Sequence, residues 1–186
     1  MVECCSGKLL IASPYLSDPN FLRSVVLIVT HDQEGAFGLS LNRPTDRRLS
    51  ELLELSMPSG KVRDDDQIYE GGPVEGPLLA LHDSVGLGAP VGDESTDIWL
   101  TGEEDHLRLL LTRVDIKLRF VAHYSGWGPG QLETELRSGG WLIGPADAKT
   151  VFEDPDKVWE SAVGRCGREV LESLSPGLRF HDPSVN

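Results

Sequence analysis

Cations are scarce in this chain of 186 residues: 17 lysines and arginines stand against 30 aspartates and glutamates, a formal net charge of −13. Nucleic-acid binding draws much of its affinity from cations that displace phosphate counterions, so this balance opposes direct contact with DNA or RNA. Cysteine is scarcer still. The three are Cys4, Cys5 and Cys166, with no C-x-x-C spacing, which is unlike a secreted disulfide framework and offers no zinc or redox motif. The adjacent pair reads as part of a frayed tail. No apolar run approaches the ~18 residues of a membrane span; the longest, near Ser24 to Thr30, is strand-length. The opening Met-Val-Glu-Cys-Cys-Ser-Gly-Lys has neither the basic region nor the apolar stretch of a signal peptide. A cytoplasmic location without a membrane partner is therefore expected.

What is present suits an ordinary globule, with 39% hydrophobic and 25% charged residues. The length suits one domain over residues 1–186, with loose tails over 1–7 and about 176–186. Glycine and proline are plentiful, at 20 and 12, which marks many turns. Lys8 to Ala12, the β-branched run Arg23 to Thr30 and the alternating Ala36 to Asn42 read as strands, the last two joined by a tight turn at His31 to Gly35. Pro44 is expected to end the third strand, because it cannot donate to the ladder. Leu49, Leu52 and Leu53 carry helical spacing behind a Thr45 or Asp46 cap.

Gln67 to Glu70 and Pro77 to His82 read as strands around a Gly71-Gly72-Pro73 turn, with Lys61 to Asp66 a polar loop before them. Ser84 to Thr96, rich in Gly, Asp and Ser, reads as a mobile loop. A strand at Asp97 to Leu100, a helix from Glu103 to Arg113 and a strand at Lys117 to Tyr124 follow. Pro129 fits the first position of a helix running through Leu132 and Leu136 to Gly139-Gly140. After a strand at Trp141 to Gly144, Pro145 and Pro155 each mark a helix start, the second behind an Asp154 cap. Val158, Trp159, Ala162 and Val163 give the last main helix its apolar face, Gly167 ends it, and a short helical piece follows at Val170 to Leu174. The fold class is α+β: one twisted, largely antiparallel or mixed sheet with helices mostly from the second half.

The most unusual segment is Gly126-Trp127-Gly128-Pro129-Gly130-Gln131-Leu132-Glu133. Three glycines and a proline permit close backbone approach ahead of a helix start, so it reads either as a ligand-holding loop or as a rigid corner whose Trp127 plugs the core. An anion at that helix start would meet Glu133 and Glu135. Asn42-Arg43-Pro44 places an arginine fork at a cleft rim or on a solvated turn, and Gly71-Gly72 supplies a second wall or only a turn. Ser125, two residues beyond His123, invites a nucleophile-elbow reading, yet His123 and Trp127 stand where that motif has glycine. The pairs His31-Asp32, His82-Asp83 and His181-Asp182 lack metal-ligand spacing and read as turn chemistry. Asp64-Asp65-Asp66 reads as a solvated loop. No metal and no cofactor is expected.

The stretches LLIASPYLSDPNFLRSVVLIVTH, GAFGLSLNRP, YEGGPVEGPLLALH and YSGWGPGQLETELRSGGWL, with a later VWESAV, resemble the AlgH/YqgE family in the same order. The resemblance runs from about Lys8 to Gly167 and implies a compact mixed fold with a twisted, partly barrel-like sheet flanked by helices. It implies no established activity; some members carry the label of transcriptional regulator, without a recognised DNA-binding motif. His123 and Ser125 replace the small residues of the usual Gly-Tyr-Ala-Gly-Trp pattern. The expectation is a cytosolic, non-enzymatic binding or regulatory protein whose partner is an unknown small molecule or protein. Its cleft would be drawn from Asn42, Arg43, Gly71, Gly72, Trp127, Gly130, Gln131 and Glu133. A transcriptional regulator and a hydrolase using Ser125 and His123 are the alternatives.

Overall fold

The computed structural model describes residues 4–52, 63, 66–92 and 96–174. The elements in chain order are β1 (Lys8–Ala12), β2 (Val25–Asp32), β3 (Gly35–Ser40), β4 (Pro44–Arg48), α1 (Leu49–Leu52), β5 (Gln67–Glu70), β6 (Val74–His82) and β7 (Ala89–Pro90). There follow β8 (Trp99–Thr101), α2 (Glu104–Leu111), β9 (Leu118–Trp127), α3 (Gln131–Arg137), β10 (Trp141–Pro145), α4 (Ala148–Val151) and α5 (Val158–Leu174).

The strands run β10-β1-β2-β3-β9-β6-β8-β7 across one curled sheet, with β5 added to β9 and β4 to β5. Every pairing is antiparallel except β5 with β9. This is the α+β architecture expected, with most of its helices in the second half. The central strand is β9. Its first part, around Phe120 to Ala122, lies between β5 and β6, while Ser125 to Trp127 pair with β3. The change of neighbours falls at His123, whose φ of 63° is left-handed. There the β6 partners jump from Val74 opposite Tyr124 to Leu78 opposite Ala122, a bulge that turns the strand from one part of the sheet to the other.

Both faces of the sheet are covered, which explains the unbroken apolar run in β2. Val25 and Leu27 join Leu9, Ile11 and Leu39 in a core closed by Val158, Ala162 and Cys166 of α5. Val26 and Ile28 point the other way, with Leu10 and Ala12, toward Trp127, Leu132 and Trp141. A strand buried on both sides has no polar face to alternate with. A third cluster packs Ile68, Ala80 and Phe120 against Leu110 and Leu111 of α2.

Several expectations are corrected. Pro44 opens β4, a position where no ladder N–H is required of it, and Thr45 donates its hydroxyl to the Ile68 carbonyl (2.8 Å) instead of capping α1. Gly126 and Trp127 belong to β9, and Gly130, at φ 72°, caps α3, so Pro129 precedes the helix altogether. Pro145 closes β10, and Asp147 caps α4 by accepting from Thr150 N (2.7 Å). Asp154 accepts from Asp156 N (3.0 Å) in a turn that leads into α5. In the glycine-rich 84–96 stretch, of which 93–95 lie outside the described residues, β7 forms and Val91 is buried. Helix α5 continues through Gly167 to Leu174, held by Cys166, whose sulfur lies over the Ile143 carbonyl (3.7 Å). Cys4 and Cys5 are not in a frayed tail: Cys5 is fully buried, its N–H donating to His31 Nδ1 (3.1 Å), and Gly7 N donates to Ile28 O (2.8 Å). Leu53, Asp64, Asp65, most of the 61–66 loop, residues 1–3, and the 176–186 tail with its His181-Asp182 pair lie outside the described residues. Among the described residues no helix is long and apolar enough to cross a membrane.

Candidate functional site at the glycine-rich corner

The end of β9 delivers Trp127 to the face of the sheet away from α5, and the chain then turns through Gly128, Pro129 and Gly130 into α3. Gln131 closes the turn on itself: its N–H donates to the Gly128 carbonyl and its Oε1 accepts from Gly128 N, both at 3.1 Å. One helical turn later, Glu135 is the hub of the corner. Its Oε2 accepts from the indole N–H of Trp127 (3.0 Å) and of Trp141 (2.8 Å), and its Oε1 accepts from Gln131 Nε2 (3.0 Å). One carboxylate thus satisfies the polar edges of two buried tryptophans.

Phe21 completes the aromatic set. Its ring stacks on Trp127 with centroids 6.0 Å apart and meets Trp141 edge-on at 5.3 Å, the two indoles themselves being 6.2 Å apart and nearly perpendicular. Such offset and T-shaped pairs suit the ring quadrupoles. Over them lies a cavity of about 430 Å³, also lined by Leu16, Asp18, Pro73, Gln131 and Glu135. Asn20 and Pro73 separate it from a smaller hollow of about 230 Å³ that contains Arg43, Glu70 and Gly72.

Of the residues anticipated from sequence, Trp127 and Gln131 meet in the larger cavity, and Arg43 and Gly72 in the smaller. The remaining residues, and Arg43 as well, serve different ends. Asn42 ties strands together, accepting from Val25 N (3.0 Å) and donating to Arg23 O (2.9 Å), and it lines a separate hollow beside Trp159. Arg43 clamps the preceding loop through the carbonyls of Asn20 (3.2 Å) and Leu22 (2.9 Å) and the Ser24 hydroxyl (2.9 Å). Gly71 is buried and its carbonyl accepts from Ser40 N (2.9 Å). Glu133 turns away to His31 Nε2 (3.4 Å), and a Cβ on Gly130 would meet open space. Sequence reasoning missed Phe21, Trp141 and the role of Glu135. The signal for Glu135 was its spacing four residues after Gln131, which places both on one helix face.

Ser125 and His123 do not form a nucleophilic pair. The left-handed turn at His123 breaks the strand alternation that would have set both side chains on one face. Ser125 is fully buried and donates its hydroxyl to Gly71 O (2.9 Å), while His123 Nδ1 accepts from Gly76 N (3.3 Å). Among the described residues, no cluster of three or more His, Cys, Asp or Glu could hold a metal ion.

The model of the AlgH-like family matches residues 9–171. The chain belongs to the AlgH-like family. It is 37% identical to a UPF0301 protein of Streptomyces coelicolor, over all of this chain and 97% of the relative. A UPF0301 protein of Myxococcus xanthus is 38% identical over 86% of this chain and 89% of its own length. Among solved structures, the AlgH protein of Pseudomonas aeruginosa superimposes with a TM-score of 0.70 at 32% identity, covering 95% of each chain. None of these relatives is described by an activity, and for this AlgH-like chain the reading of function rests on the corner itself.

Proposed function

We propose that this AlgH-like protein is a cytosolic, non-enzymatic binding protein of regulatory type, whose small-molecule ligand occupies the cavity over Phe21, Trp127 and Trp141. The observation that carries this reading is the Glu135 hub. It fixes both indoles and Gln131 in place before any ligand arrives, and preorganised walls reduce the entropy cost of binding. Among the described residues, Asp18 and Glu135 line the cavity and no lysine, arginine or histidine does, so the fitting ligand is uncharged or cationic, with a flat apolar part.

A thermal-shift screen of metabolites against the wild type and Gln131→Ala tests this. A ligand at a hundred times its dissociation constant adds about 2.7 kcal/mol, which in a domain of this size raises the melting temperature by roughly 5–10 °C. The expected result is a rise lost in Gln131→Ala while that variant, unliganded, melts like the wild type. Hits that bind the variant equally well would remove the ligand from this corner.

A further inference from the structure

At the other end of β9 an arginine lies buried without a counter-charge. Arg119 is 6% exposed, yet its guanidinium meets no acid: it donates to Leu41 O through Nη1 (2.6 Å) and Glu153 O through Nη2 (2.9 Å), and it lies 4.4 Å above the ring of Tyr69, whose side chain also hydrogen-bonds it. Among the described residues no carboxylate pairs with it, in a chain that carries 30 of them. Taking a charge out of water is costly unless an opposite charge meets it. Burial accordingly pushes the Arg119 guanidinium below its ordinary range.

The residue borders a cavity of about 430 Å³ that Arg63 and Lys117 also line, with Tyr69, Phe152 and Gln67 among the walls. Arg63 is held there by Asp66 (3.1 Å) and the Ile116 carbonyl (3.0 Å). Asp66 is the one acid among the lining residues, against three cations. Three cations thus converge on this hollow in a chain of net charge −13, whereas the hollow of Lys149, Arg165 and Arg168, which also gathers three, sets two glutamates against them. The hollow beside Arg119 is also opposite in sign to the cavity over the tryptophans.

We infer that this hollow is a second ligand site, specific for a small anion: a carboxylate or phosphate group bound by Arg119 and Lys117, with a flat or apolar body against Phe152 and Tyr69. The planar guanidinium suits the paired oxygens of such a group, and the Tyr69 ring beneath it helps to hold it in place. Its lining residues are distinct from those of the tryptophan cavity.

Amide chemical-shift titrations of the full chain with phenyl phosphate, benzoate and benzyl alcohol test the assignment. Saturable shifts confined to Tyr69, Lys117, Arg119 and their neighbours are expected with one or both anions, and none with the neutral alcohol. The anion that binds more tightly identifies the charged group. Lys117→Ala, an exposed change that spares the core, is expected to weaken binding at least 5-fold, and Arg119→Met to abolish it. Arg119→Lys, which keeps the charge and loses the fork, should retain weak binding. Raising NaCl from 50 to 500 mM should weaken the wild type severalfold. Absence of saturable shifts with both anions, equal shifts with benzyl alcohol, or unchanged affinity in Lys117→Ala would each overturn the proposal.

Discussion

The two parts of β9 meet opposite electrostatic demands. Near its end, an acidic side chain finds three donors: Glu135 takes both indole N–H groups and Gln131, and the surrounding corner is complete without a ligand. Near its beginning, Arg119 is buried against two carbonyls and the Tyr69 side chain. The first arrangement reads as structure built to present a shaped wall. The second carries a charge that the described protein leaves unneutralised. A buried ion that meets only dipoles adds little to stability, so its value is expected to show in binding.

The largest test of this contrast lies at the join. Gly72 sits at φ 155°, and a Cβ added there would collide with the backbone of Tyr124 and Ser125 and with the Ser125 hydroxyl, atoms that cannot yield. Gly72→Ala should cost about 4 kcal/mol in chemical denaturation and uncouple the β5–β6 connection from β9. Glu135→Ala comes next. Leaving two buried indole N–H groups unsatisfied should cost about 3 kcal/mol, whereas Glu135→Gln, which keeps one carbonyl acceptor, should cost about 1 kcal/mol on the same scale. If Glu135→Ala were neutral, the hub would not be structural and the comparison would fail.

A smaller effect distinguishes the first part of the strand by pH. His82, paired across from Leu118, is fully buried, and burial holds its imidazole below the ordinary value of 6.5. Above pH 6.5 both folded and unfolded chains carry it neutral. Below that point the unfolded chain takes up a proton that the folded one refuses. Stability should therefore fall on acidification by up to about 1.4 kcal/mol per pH unit, levelling off at the lower folded value. Denaturation midpoints between pH 7.5 and 5.0 should show that slope in the wild type and less of it in His82→Gln.

The smallest effects complete the series. Ser125→Ala removes one buried hydroxyl bond and should cost about 1 kcal/mol without altering any ligand response. Arg119→Met should change stability by less than about 1 kcal/mol in either direction. A large loss there would assign Arg119 to the framework and erase its contrast with Glu135.

Much of the sheet was legible from sequence because its strands carry their own signals. The run Val25 to Ile28 and the alternation of Phe37, Leu39 and Leu41 fix burial locally, and turn residues bound them. What was illegible depended on distant partners. Pro44 reads as a terminator until Tyr69 is seen opposite it, and Gly167 reads as a stop until Cys166 is seen packed on Gly144. The corner was legible in part. Trp127 and Gln131 stand in a conspicuous glycine frame, while Phe21 lies more than a hundred residues earlier with nothing local to mark it. Arg119 carries no signal at all in an ordinary strand, since its isolation is a property of the neighbours the fold assembles around it.

The register of β1 has a consequence for synthesis. Its two neighbours are β2, which follows after the loop from Ser13 to Ser24, and β10, where Leu9 faces Gly144 and Ala12 faces Trp141. On the ribosome the β1–β2–β3 layer therefore emerges about a hundred residues before the strands that close its two edges, an interval of roughly 5–20 s at ordinary elongation rates. Throughout that interval Val25 to Ile28 offer apolar side chains on both faces, and the outer edges of β1 and β3 carry unpaired backbone. Those apolar faces and edges stay open until Trp127 and Trp141 arrive.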